Sequence, residues 1–273
     1  MSRKRQMERR RFLQFAAAAS VLALTGGSAV ADESALESRV RHTFVLVHGA
    51  WHGGWCWRPL MQRLQAAGHR VTAPTLTGLG ERAHLISAGV DLDTHIRDVV
   101  AHIEAEELSN VVLVGHSYGG FVIRGAAARV PGAISHMIYL DAFVPDNGET
   151  VSDYAGDRAA SMRELAVRTP AAGLPPLPPA AFGISDPALA AWVARRMTPQ
   201  PVNTYLQPLA IGKDEGTYKR SYVACLEPKL DVFDTTRARI KAAAGWRYLA
   251  LAEGHDVMVS SPDLLARTLL ALV

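Results

Sequence analysis

Apolar residues fall along this chain in two rhythms that alternate with each other. Short unbroken runs such as Phe44-Val45-Leu46-Val47 and Val111-Val112-Leu113-Val114 lack any polar alternation, as expected of strands buried on both faces. Between them stand longer stretches with helical spacing. Residues 55–67 place Leu60, Leu64 and Ala67 on one face and stop at Gly68. Residues 93–107 place Ile96, Val99, Val100 and Ile103 on one face, with Asp91 or Asp93 as cap and Glu104, Glu106 and Glu107 toward water. The same reading predicts strands at 43–47, 70–73, 110–115, 134–140, 218–225 and 246–250, and further helices at 119–129, 235–244 and 262–272. Strand and helix in alternation define an α/β protein, a mostly parallel sheet with helices on both faces, whose ligands bind beyond the carboxyl ends of the strands.

Two segments depart from this pattern. Residues 145–216 are rich in proline and alanine, with one clear helix at 187–197, and strands resume afterwards. Such an insertion reads as a small helical cap over the sheet, set into a core of 42–144 and 217–273. Residues 1–31 read as an export signal: a basic start, an apolar stretch at 16–24 and Ala29-Val30-Ala31 as a small-residue cleavage site. Arg9-Arg10-Arg11-Phe12-Leu13-Gln14 resembles the twin-arginine motif, so the mature chain is expected outside the bacterial inner membrane, without a stable membrane anchor.

Charge narrows the partners once this leader is set aside. Six basic residues and Glu8 give the leader +5, so a net charge of +3 leaves the body at −2. A mildly acidic body offers no basic face to nucleic acid. Cys56 and Cys225, the two cysteines, lie after separate strands and are expected as buried free thiols.

The chemistry concentrates at strand ends. Gly115-His116-Ser117-Tyr118-Gly119 sits between an apolar strand and a helix, the setting in which a G-x-S-x-G turn holds a serine hydroxyl clear of the backbone. A serine hydroxyl needs a base. Gly254-His255-Asp256 follows the last strand, so His255 is the expected base. His48-Gly49-Ala50-Trp51-His52-Gly53-Gly54 follows the first strand. There the Ala50 amide, with that of Tyr118, is expected to form an oxyanion hole worth roughly 3–4 kcal/mol per donor. His48 and His52 lack a third ligand at suitable spacing, so no metal is expected. Trp51, Trp55, Trp57, Phe143 and Trp192 are candidates to line an apolar pocket.

Taken together, 44–57, Thr75-Leu76-Thr77-Gly78-Leu79-Gly80-Glu81-Arg82, the serine turn, Tyr139-Leu140-Asp141-Ala142-Phe143-Val144-Pro145 and Gly254-His255-Asp256 resemble one group of proteins. They are similar to the plant methylesterases and hydroxynitrile lyases of the α/β-hydrolase superfamily, and to bacterial pyrethroid-hydrolase-like esterases. The resemblance covers about residues 42–273 and implies an α/β-hydrolase fold, no cofactor, and a serine hydrolase acting on a small-molecule ester. It leaves the oligomeric state open. The family's acid follows the strand ending near Cys225, but the usual position here is Pro228. Glu227 is therefore the first choice of acid, ahead of Asp141 and Asp231. Two alternatives remain, a non-catalytic small-molecule-binding relative and a hydroxynitrile lyase. Gly49 after His48, and the absence of lysine from Ala242 onward, count against the lyase.

Overall fold

The computed structural model describes residues 41–169, 171, 173–212 and 216–273; the expected leader at 1–31 lies outside them. Six strands form one sheet: β1 (Thr43–Val47), β2 (Arg70–Thr72), β3 (Val111–His116), β4 (Ile134–Leu140), β7 (Lys219–Cys225) and β8 (Trp246–Leu251). Between β4 and β7, β5 (Gly173–Leu174) and β6 (Gln200–Pro201) make a separate antiparallel pair. The sheet order is β2-β1-β3-β4-β7-β8, and all five pairings are parallel.

Side chains alternate across this sheet with the period of two that a strand imposes. Val45, Val47, Val111, Leu113, Met137, Tyr139 and Tyr222 pack on one face against helices α2 (Leu92–Ala105), α3 (Gly119–Arg129) and α7 (Asp234–Ala242). Phe44, Leu46, Val112, Val114, Ile138, Leu140 and Val223 turn to the other face. There they meet α1 (Arg58–Ala66), α8 (Val257–Ser260) and α9 (Pro262–Leu270). Unbroken apolar runs in the sequence thus serve two cores at once. Cys56 and Cys225 are buried and unpaired. Among the described residues no helix is long and apolar enough to cross a membrane.

The segment between β4 and β7 carries α4 (Arg158–Arg168), α5 (Pro187–Ala194) and α6 (Asn203–Leu206). Its helix α4 escaped the sequence reading because none of its residues is fully buried. Only Met162, Leu165 and Ala166, at helical spacing, reach the core cluster. The segment is tied to the turn after β1 at several points. Trp51 N–H donates to Gln200 Oε1 (3.1 Å), the Trp51 indole N–H donates to Leu174 O (3.0 Å), and Thr198 N–H donates to Trp51 O (2.9 Å).

Candidate active site

Strand β3 runs into α3 through a turn too tight for ordinary backbone. Ser117 sits there at φ +55°, in the left-handed region that a non-glycine residue rarely occupies. Its conformation is held by three backbone hydrogen bonds: Ser117 N–H to Leu140 O (3.2 Å), and Gly120 and Phe143 N–H to Ser117 O (3.1 and 3.2 Å). Glycine is required at two places beside it. A Cβ on Gly120 would lie 1.9 Å from Phe143 O, and one on Gly119 would lie 2.8 Å from Val47 O. Trp51 (φ +64°) and Asp141 (φ +41°) share the strained region, so three such residues stand at the ends of adjacent strands. Strain of this kind costs about 1–3 kcal/mol per residue and gathers where function needs a fixed geometry.

His255 lies on the loop between β8 and α8. Its Nδ1–H donates to Asp141 Oδ2 at 2.7 Å, and Phe233 stacks on the ring with centroids 5.4 Å apart. Since a carboxylate accepts, the proton is on Nδ1 and Nε2 is left as an acceptor. Asp141 is wholly buried and accepts through Oδ1 from Arg237 Nη2 (2.8 Å) and Cys225 N–H (3.2 Å). Burial alone would raise the Asp141 carboxyl, but His255 and Arg237 outweigh it and hold it below the usual carboxylate range.

The carboxylate that meets His255 is thus Asp141 and not Glu227, the first choice of acid. Glu227 is exposed, and its backbone amide bonds to Glu253 O at 3.0 Å. Asp231 is exposed and pairs with Lys229 at 3.2 Å. Neighbouring strands explain the difference. Strands β4 and β7 pair with Leu140 opposite Val223, so the residue that ends β4 abuts the end of β7. The carboxylate facing His255 therefore comes from the end of the adjacent strand.

On the other side of Ser117, the turn after β1 is held by two histidines that their surroundings shift in opposite directions. His48 Nδ1–H donates to Gly49 O (2.8 Å), and its Nε2 accepts from Leu76 N–H (3.1 Å). Burial lowers it to about 3, so it is neutral. Holding Gly49 O fixes the plane of the peptide that carries Ala50 N–H. His52 Nδ1–H donates to Ala50 O (2.7 Å), and its Nε2 faces Asp256 Oδ2 (3.1 Å). Tyr118 opens α3, where backbone amides lack intrahelical acceptors. Its hydroxyl donates to His95 Nδ1 at 2.9 Å, while His95 Nε2–H donates to Thr77 O at 2.8 Å. Sequence reading missed His95, Arg237 and the His52–Asp256 pair, since each acts through a partner remote in the chain.

Ser117 and His255 both line a cavity of about 500 Å³. Trp51 and Phe143 line it as expected, joined by Tyr154, Phe182 and Phe233. Trp55 and Trp57 instead pack into the second core, and Trp192 meets Trp55 edge-on at 5.2 Å. Side-chain donor atoms of His116, His255 and Asp256 lie within 4.8 Å of one another, the one group of three among the described residues close enough to hold an ion. An ion there would compete for His255, whose Nδ1 is engaged by Asp141, and for Asp256, whose Oδ2 is engaged by His52.

A parallel sheet with a strained serine turn after its third strand and a histidine loop after its last defines a class of enzyme scaffold. Residues 44–268 match the alpha/beta hydrolase family, and the chain belongs to it. It is similar to the carbendazim hydrolyzing esterase of Nocardioides sp. (strain SG-4G), with 41% identity over 84% of this chain and 98% of that one. It is also similar to salicylic acid-binding protein 2 of Nicotiana tabacum, with 31% identity over 68% of this chain and 79% of that one. Among solved structures, an extracellular alpha/beta-hydrolase from a Paenibacillus species superposes with a TM-score of 0.74. That pair shares 24% identity over 84% of this chain and 98% of the other, a likeness of fold. At the level of the family, esterase relatives support an ester hydrolase.

Proposed function

We propose that this protein hydrolyses a small carboxylic ester through an acyl-enzyme on Ser117. His255 Nε2 takes the serine proton, and Asp141 holds the ring in the tautomer that leaves Nε2 free and steadies the imidazolium that forms. The amides of Ala50 and Tyr118 receive the oxyanion. His255 then protonates the leaving alcohol, and water resolves the acyl-enzyme. The observation that carries this reading is the 2.7 Å bond from His255 Nδ1 to a buried, ionised Asp141, beside a serine in the same cavity. It also counts against the non-catalytic alternative.

Among the described residues the cavity wall is aromatic and aliphatic, with Arg158 as its one charged side chain beside the polar groups of Ser117 and His255. An apolar ester of modest size fits it. Residues 145–216 act as the cap, and the leader directs export, in keeping with the extracellular relative of like fold. The name of the Nocardioides relative makes carbendazim a compound to test beside simple aryl esters.

A nitrophenyl ester gives the test. The wild type shows a burst of nitrophenol and labelling by a fluorophosphonate, and Ser117→Ala loses both. Equal turnover by Ser117→Ala rules the mechanism out.

A further inference from the structure

One buried charge pair beside the cavity has no part in the reaction above. His52 follows the turn that carries Ala50, and Asp256 follows His255, so the pair joins the two halves of the site across 204 positions. Neither side chain reaches solvent, with exposures of 2% and 0%. The His52 ring faces Ala50 O at 2.7 Å through Nδ1 and Asp256 Oδ2 at 3.1 Å through Nε2. A carbonyl and a carboxylate only accept, so the ring needs a proton on each nitrogen and is an imidazolium. Trp55 stacks on it, with centroids 5.2 Å apart and 23° between the planes, presenting the π face that favours a cation.

Every packed element contributes to the surroundings of this pair. From β3, His116 Nε2–H donates to His255 O at 3.0 Å and lies 3.9 Å from Asp256 Oδ1. From the turn after β1 comes His48, from the helical turn Gly54–Trp57 the Cys56 thiol, from the end of β7 the Cys225 thiol, from the loop after β8 His255, and from the insertion the ring of Phe182. Behind His255 stand Asp141 and then Arg237. Burial keeps His48 and His116 neutral, so His52 supplies the charge that balances Asp256. The directions agree: burial opposes charge on both partners, yet their mutual attraction leaves His52 raised and Asp256 lowered.

We propose that the His52–Asp256 ion pair is a positioning device that locks the turn presenting the Ala50 amide to the loop carrying His255. It rests on the serine-hydrolase reading. The peptide between Ala50 and Trp51 is held at both edges, its oxygen by His52 and its N–H by Gln200 Oε1. His48 fixes the preceding peptide through Gly49 O. The amide offered to the oxyanion therefore keeps its aim only while the turn and the histidine loop stay pinned together. The pair also balances the charge of a buried carboxylate one residue from His255.

The test compares wild type, His52→Gln, Asp256→Asn and the double variant, with nitrophenyl butyrate turnover followed from about pH 5 to about pH 9. Fluorophosphonate labelling of Ser117 is read separately. Nitrogen-15 NMR of histidine-labelled wild type, at about pH 8, is expected to show one doubly protonated ring, absent from His52→Gln. In His52→Gln, kcat falls about 10- to 100-fold, a share of the worth of one oxyanion donor, while KM stays within about threefold. Its acid limb moves to higher pH because Asp256 is left unbalanced. The double variant is no worse than the poorer single variant, as expected of two residues acting as one unit. Neutral rings throughout the wild type would overturn the proposal. So would a folded, labelled His52→Gln with wild-type kcat and acid limb. If His52→Gln fails to fold, Asp256→Asn and the wild-type spectrum decide. If the wild type neither labels nor turns over ester, the serine-hydrolase reading fails, and the spectrum still judges the pair.

Discussion

Replacing Asp141 by asparagine separates the chemistry of the acid from its structural work. The new side chain would keep one carbonyl oxygen for Arg237 and Cys225 N–H, the partners that Asp141 Oδ1 holds at 2.8 and 3.2 Å. Its amide nitrogen would then face His255 Nδ1, where the carboxylate now accepts at 2.7 Å. Two donors cannot share that contact, so the ring changes tautomer and places its proton on Nε2, the nitrogen that must accept from serine. A wrong tautomer of this kind costs about 10⁴-fold in kcat, or about 5 kcal/mol of transition-state stabilisation. The stability cost is smaller. Arg237 loses a charged partner but keeps Asp234 Oδ1 (3.1 Å), Leu230 O (2.9 Å) and Cys225 O (3.2 Å). A loss of about 2–3 kcal/mol follows, the worth of one hydrogen bond between buried charged groups. Turnover of a nitrophenyl ester and urea unfolding on the same samples measure both. Glu227→Gln, at an exposed carboxylate, is the control and stays within about twofold of wild type. Full activity in Asp141→Asn, or collapse in Glu227→Gln, refutes the assignment.

Gly120→Ala is expected to unfold the protein or cost more than about 3 kcal/mol, because its Cβ would stand 1.9 Å from a backbone oxygen; Gly132→Ala, with nothing within 4 Å, stays within about 0.5 kcal/mol. Thermal melts of the two variants make the comparison. Acid is expected to destabilise the fold well before the carboxylates titrate. His48 is lowered to about 3, and His95 and His136 to about 4, in each case first by burial. Groups depressed on folding contribute stability that is complete above the unfolded value of about 6.5 and is lost as pH falls through the window below it. Each such histidine removes about 1.4 kcal/mol per pH unit there. His52, raised on folding, contributes stability that is complete below about 6.5 and lost as pH rises above it, so it does not offset this loss. Urea midpoints that hold steady from about pH 7 to about pH 5 would contradict this.

The elements that were legible in the sequence are those punctuated by the chain itself. Strand β1, helix α3 and strand β4 fall at the expected residues because glycines, Pro131 and polar turns bracket their apolar runs. Ser117 and His255 could be singled out because each follows a strand in a glycine-bearing turn. The carboxylate that meets His255 could not. A sequence shows where a strand ends but not which strand lies beside it, and only the β4–β7 pairing brings Asp141 next to Cys225. The roles of Trp55 and Trp57 were hidden for a similar reason. They lie on the helical turn Gly54–Trp57, whose direction sends the rings behind the sheet rather than toward Ser117. Nor does local pattern announce the His52–Asp256 pair, since two polar residues in apolar surroundings become partners only when distant turns meet.

Ser117, Asp141 and His255 ride on the ends of β3, β4 and β8, while the larger part of the cavity wall, from Val151 to Tyr205, belongs to the intervening segment. On the proposed mechanism, selectivity and reactivity are therefore written in largely separate stretches of polypeptide. Exchanging the Val151–Tyr205 stretch, with the bonds of Leu174, Thr198 and Gln200 to Trp51 preserved, is expected to retailor which molecules are admitted and leave the proposed bond-breaking apparatus in place, so one scaffold can be refitted to new compounds by grafting rather than by rebuilding its centre.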